Sequence, residues 1–185
     1  MKVACTKPQA AIRQLDVAIT LLFSDYDPLA IRTLAGAAHG ILADLGERQA
    51  PGGSWRSKAI EGSGLSKKAA LDIMNGAQNY LKHANRDPDS NLSFEEEEND
   101  HLIFFATLEC GELEQPLSSD MQAFQIWYLA SYPEIIGHET QLVRKSQLAF
   151  PDLCSLSREA RLVRGAEFID KLKVQLGSGG HPGKK

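Results

Sequence analysis

Apolar residues recur at spacings of three and four along most of this chain, which is the repeat of an amphipathic helix. The first stripe covers residues 8–23 and the second covers residues 28–49, with a short polar break between them. In that break Asp27 can accept hydrogen bonds from the first amides of the second helix, and Pro28 has the backbone geometry of a first helical turn. Because the break is short, we predict that the two helices form an antiparallel hairpin.

The rest of the chain continues the helical pattern and contains no alternating segment of the kind that forms a strand. Residues 101–113 are apolar around much of the helix circumference, which predicts a central helix with Phe105 inside the core. We therefore predict an all-α fold, an antiparallel bundle of about six to eight helices in one domain at residues 1–176, followed by a disordered tail at residues 177–185. Beyond the hairpin, the predicted helices cover residues 55–60, 66–86, 95–113, 118–132, 138–150 and 157–175.

Composition is that of an ordinary globular domain, with 185 residues of which 43% are hydrophobic and 24% charged. The net charge of -4 argues against a broad DNA-binding surface. No segment approaches the ~20 apolar residues of a membrane span, so no membrane association is expected. Cys5, Cys110 and Cys154 are far apart and form no C-x-x-C pair. We expect free thiols in a reducing compartment, and hence a cytoplasmic protein.

Polar side chains gather on one face of the predicted helix at residues 66–86. Asn79, Lys82, His83 and Arg86 lie opposite the apolar stripe, and Asp87 follows them. Asparagine and histidine are mediocre helix formers, and an imidazole beside a guanidinium can receive phosphate or carboxylate. We predict that these five residues bind an anionic small ligand or RNA. The alternative is a solvated face whose cations complement the helix dipole, and two neighbouring ligands are too few for a metal site.

A second group lies on the predicted helix at residues 28–49, where Arg32, Gly36, His39 and Gly40 occupy one flank. Small residues four apart let another chain segment approach closely, so this flank predicts a contact seam. In a purely structural interpretation, His39 is partly buried and bonded to a backbone carbonyl, while Arg32 is solvated or paired.

Arg32 and His39 are separated by six residues. An arginine followed by a histidine after four to six residues resembles the catalytic motif of HEPN ribonucleases. The resemblance implies a compact helical bundle that places two such motifs across a dimer interface. It also implies metal-independent cleavage of single-stranded RNA, in which His39 moves a proton and Arg32 stabilises charge on the phosphate.

Three further segments resemble a family of uncharacterised bacterial all-helical proteins. They are the sequence RQLD at residues 13–16, the DP pair at residues 27–28 and the pattern N-x-x-KHA-x-RDPD at residues 79–89. This resemblance implies the helical fold and the importance of the third segment, and it carries no activity.

Two function hypotheses follow. The first is a cytoplasmic helical binding or interaction protein that self-associates as a homodimer or larger homo-oligomer. The alternative is the HEPN-like ribonuclease. The chain has no glycine-rich phosphate loop, no G-x-S-x-G elbow and no paired-carboxylate motif. No cofactor is therefore predicted, and the sequence does not decide whether the protein is an enzyme.

Overall fold

The computed structural model describes residues 2–83, 85 and 88–178, with side chains to residue 174. All regular structure in these ranges is helical, which confirms the all-α prediction. The helices are α1 (Lys7–Phe23), α2 (Pro28–Gln49), α3 (Trp55–Gly62), α4 (Lys67–Lys82), α5 (Glu97–Glu112), α6 (Ser119–Ser131), the single turn α7 (Pro133–Ile136), α8 (Gln141–Ala149) and α9 (Arg158–Ser178).

The first two helices form the predicted hairpin, and their ends are set by local capping. Thr6 and Gln9 make a reciprocal capping box at the start of α1. Asp27 Oδ1 accepts a hydrogen bond from the Leu29 amide at 2.8 Å and so begins α2. The α1–α2 contact is the largest between any two helices in the described part of the chain.

The core lies where α1, α2, α5 and α6 meet, and α9 packs across α1 and α6. Phe104 of α5 stacks on Tyr128 of α6 with ring centroids 4.0 Å apart. Trp127 Nε1 donates to the Arg161 carbonyl at 2.7 Å and so joins α6 to α9. The largest fully buried apolar side chains are Trp127, Tyr128, Phe124, Leu15, Ile19, Leu22, Leu42, Ile103, Met121, Leu153 and Val143.

Helix α4 is peripheral and packs mainly on α2, with a smaller contact to α3. The predicted seam is present at Gly36, where an added Cβ would lie 2.6 Å from Cδ of Gln78, but not at Gly40, where an added Cβ meets no atom of the described residues within 4 Å. The predicted apolar stripe of α4 is wrong at Ile73, which is 69% exposed. Because α4 packs mainly on α2, its buried strip is narrow and leaves Ile73 at the edge.

Several predicted boundaries also need correction. Helix α4 ends at Lys82, one turn before the predicted end, and the Tyr80 hydroxyl donates to the Ser90 carbonyl in the following connection. Helix α8 begins at Gln141 because Thr140 caps it. Helix α9 continues to Ser178, past the predicted start of the tail, whose residues 179–185 lie outside the described residues.

None of the helices in the described ranges is both long and apolar enough to cross a membrane.

Glycine is required where α9 crosses α1. A Cβ at Gly165 would lie 2.1 Å from Cε1 of Phe23. Phe23 cannot swing away freely, because its ring packs edge-on against Trp127 at 5.1 Å. We expect Gly165→Ala to lower the free energy of unfolding by about 1–3 kcal/mol, measured by urea denaturation.

The matched control is Gly40→Ala, because a Cβ at Gly40 meets no atom of the described residues within 4 Å. This substitution should raise stability by about 0.5–1 kcal/mol through helix propensity alone. Equal effects of the two substitutions would contradict the proposed α1–α9 contact.

Candidate functional site

The candidate site is a groove between α4 and α5, which we call the α4–α5 groove. Its volume is about 230 Å³, below the roughly 300–1,000 Å³ of typical small-molecule pockets. That size suits one or two apolar side chains of a partner. The groove is lined by Arg32, Ile73, Met74, Glu98, His101, Leu102 and Phe105.

The groove is apolar because α5 carries apolar side chains on a side that α4 does not cover. Phe105 was predicted to lie inside the core, and this is wrong, since it is only half-buried and faces the groove. Its neighbour Phe104 takes the core position instead, where it is 4% exposed. Met74 and Leu102 are also half-buried, so the groove walls expose apolar surface to solvent.

The charged element of the groove is a closed ion pair. Arg32 is 4% exposed, and its Nη2 lies 2.7 Å from Oε2 of Glu98. Its Nη1 donates to the Glu98 carbonyl at 3.3 Å, and its guanidinium lies over the Phe94 ring at 5.1 Å. Among the described residues Arg32 Nε has no hydrogen-bond partner. Glu98 therefore does more than complement the dipole of α5, because it holds a buried arginine.

His101 is the groove residue that sequence reasoning missed. Its Nδ1 lies 2.8 Å from the Tyr128 hydroxyl, which fixes the orientation of the ring. Burial lowers the pKa of His101, so the imidazole is neutral near pH 7. The available signal was its position three residues after Glu98 and four before Phe105, on one face of α5.

A buried carboxylate holds α5 against its neighbours behind the groove. Asp100 is fully buried, its Oδ1 lies 2.9 Å from Nη2 of Arg158 on α9, and its Oδ2 accepts from the Tyr132 hydroxyl at 2.7 Å. Burial raises the pKa of Asp100 to about 6, although Arg158 and the Tyr132 hydrogen bond oppose the shift.

Arg32 and His39 do not form one cluster. Arg32 contacts Phe94 and Glu98, whereas His39 lies near Arg56 and Asp44 and is affected by their charges. His39 is 3% exposed, and burial, followed by the Arg56 charge, lowers its pKa to about 4. Its Nε2 has no hydrogen-bond partner among the described residues. The fold therefore encloses both residues of the HEPN-like motif.

The predicted polar face lies on the outer side of α4. Asn79 and Lys82 are exposed, and His83 is half-buried at the end of the helix. Arg86 and Asp87, the other two predicted binding residues, lie outside the described residues. His39 and His83 do not line the α4–α5 groove, so the structure does not bring the two predicted clusters together there.

No group of three or more metal-ligating side chains occurs among the residues that the structure describes. Comparisons with protein-family models, with curated proteins and with solved structures found no match. The resemblances in the sequence therefore stay predictions, and the site has to be interpreted from its own geometry.

The titration of Asp100 should be visible in the pH dependence of stability. Its pKa is raised from 3.8 to about 6 on folding, so the folded protein binds more protons than the unfolded chain between these values. Stability from this group therefore falls as pH rises from about 4 to 6. Urea denaturation should show that the stability of the native protein relative to Asp100→Asn falls across this window and is level above about pH 7. If the free energies of unfolding of the two proteins changed with pH in parallel, the raised pKa of Asp100 would be contradicted.

Substitutions on the polar face should leave the fold intact. Because Asn79 and Lys82 are exposed, we expect Asn79→Ala and Lys82→Ala to change the free energy of unfolding by no more than about 0.5 kcal/mol. The control on the opposite face, Ala77→Asp, buries a carboxylate and should cost more than about 2 kcal/mol. If the face binds an anion, Lys82→Ala should also weaken retention of the protein on a phosphate or RNA column. Unchanged retention would indicate that the polar face is solvated and binds no anion.

Proposed function

We propose that this protein is a helical interaction protein that self-associates through the α4–α5 groove. The observation that carries the proposal is the position of Ile73, which protrudes into solvent with 69% of its surface exposed and also lines an apolar recess. A surface that bears both a protruding side chain and a recess can complement itself about a twofold axis. In such a dimer, Ile73 of each copy occupies the groove of the other.

Electrostatics favour this pairing. Arg32 and Glu98 neutralise one another, and His101 is neutral near pH 7, so the lining carries no net charge. Two copies therefore meet without repulsion between like charges. Arg32 is already buried in the single chain, so association adds little to the cost of removing its guanidinium from water.

The shape of the groove favours a protein partner over a small molecule. On α5, Glu98, His101, Leu102 and Phe105 follow the spacing of positions i, i+3, i+4 and i+7. This is the spacing at which one helix presents a continuous stripe to another helix. Ile73 and Met74 on α4 form the second wall, so a helix bearing apolar side chains fits between the two.

The same geometry favours binding over RNA cleavage. A ribonuclease would need His39 to reach a phosphate, and this residue of α2 is buried, with 3% of its surface exposed. Arg32 is held by Glu98 through both of its terminal nitrogens.

Within the proposal the protein acts in the cytoplasm, because Cys5, Cys110 and Cys154 are free thiols.

Self-association is tested by sedimentation velocity over a concentration series. The native protein should show a concentration-dependent dimer, and Ile73→Glu should sediment as a monomer because it would place a carboxylate in an apolar recess. Ile73→Glu should keep the circular dichroism spectrum and melting temperature of the native protein, since the side chain is exposed in the single chain.

The matched control is Leu148→Glu, which changes an 82% exposed leucine of α8 outside the groove. This variant should dimerise like the native protein. A native protein that remains monomeric at its highest soluble concentration would contradict the proposal, as would equal effects of the two substitutions.

A further inference from the structure

A second cavity lies at the other end of α5, between α3 and the start of α6. Its volume is about 470 Å³, within the range of small-molecule sites. The indole of Trp55 lines it together with the side chains of Glu112, Glu114, Thr107 and Gln125. Gln125 Nε2 donates to the Thr107 hydroxyl at 2.9 Å, which holds the wall formed by α5 and α6 in place.

The electrostatics of this end of α5 are unfavourable without a cation. Backbone dipoles place partial negative charge at a helix C-terminus, where lysine and arginine are normally favoured. The last turn of α5 instead contains Glu109 and Glu112 and no basic residue, and Glu114 follows it. Burial raises the pKa of Glu109, and the nearby charge of Glu112 adds to that rise.

The chain places one of its own cations against two residues of the lining, Trp55 and Glu112. Lys58 Nζ lies 2.6 Å from Oε1 of Glu112 and 4.6 Å from the centroid of the Trp55 ring. A carboxylate beside an ammonium on the face of an indole is the chemistry by which proteins recognise organic cations. Lys58 is exposed and flexible, so a ligand of the same chemistry can displace it.

We infer that this cavity binds a small organic cation with an alkylated ammonium group. The ammonium takes the position of Lys58 Nζ on the Trp55 face, and Glu112 and Glu114 supply the opposing charge. An organic cation fits better than a metal ion, because an indole face attracts a diffuse, weakly hydrated charge and gives no ligand oxygen. The inference is independent of the proposed function, since this cavity and the α4–α5 groove share no lining residue.

The test titrates the full-length protein with choline and follows the Trp55 indole resonance by NMR, with circular dichroism as the check on folding. The uncharged carbon isostere of choline, dimethylbutanol, is the matched ligand control. We expect saturable binding of choline and none of dimethylbutanol. Equal binding of both would show that the cavity selects apolar bulk, and it would overturn the inference.

Three variants locate the site. Trp55→Leu, followed through other cavity resonances, and Glu112→Gln should each weaken choline binding about fivefold or more. Lys58→Met should strengthen binding, because it removes the internal competitor and leaves Trp55 and Glu112 unoccupied. If Trp55→Leu disturbs the fold, the opposite responses of Glu112→Gln and Lys58→Met still decide the question. No saturable binding by either the native protein or Lys58→Met would overturn the inference, as would weaker binding by Lys58→Met.

Discussion

The incomplete enclosure of α5 is the constraint on which the rest of this structure depends. Helices α1, α2, α3 and α6 pack against α5, while α4 packs mainly on α2 and leaves one side of α5 open as a groove. Because α5 is apolar around much of its circumference, the open side leaves Leu102 and Phe105 partly exposed. The groove is thus a consequence of where α4 lies and needs no special sequence of its own.

Buried polar groups fix α5 in this position. The fully buried side chain of Asp100 is held by Arg158 of α9. The amide of Asn99 donates to the Pro28 carbonyl at 3.0 Å, and Glu109 accepts a hydrogen bond from the Arg56 amide at 2.8 Å. A buried polar group is costly without its partner, so a shift of α5 along its axis would leave each of these groups unsatisfied. Apolar packing alone would tolerate such a shift far better.

Features that depend on neighbouring residues could be predicted from the sequence. The Asp27 cap, the Pro28 start of α2 and the helical repeat of α1 each involve side chains within one or two turns. Exposure could not be predicted in the same way. Ile73 has the spacing of a core residue and Phe105 lies in the most apolar segment, yet their exposure is decided by the position of another helix.

The same distinction explains the sites. Arg32 and His39 were paired because they lie close together along the chain, but the partner of Arg32 is Glu98, 66 residues away. The acidic run at the start of α5 was assigned to the helix dipole because a partner so distant leaves no local signal. The Trp55 cavity likewise combines residues of α3, α5 and α6, and only the folded chain brings them together.

Helix α5 therefore presents two surfaces of different electrostatic character, one without net charge and one negative. Near its N-terminus the Arg32–Glu98 pair and a neutral His101 make an apolar surface without net charge. Near its C-terminus Glu112 and Glu114 are exposed, Glu112 alone pairs with Lys58, and both carboxylates add to the negative end of the helix dipole. In the proposed dimer the first surface gains free energy by excluding water, so self-association should depend little on salt. The proposed binding of an organic cation at the second surface gains free energy from Coulomb attraction, which salt screens within about 10 Å at 0.1 M ionic strength. Salt dependence thus distinguishes the two surfaces, because only the second relies on attraction between charges.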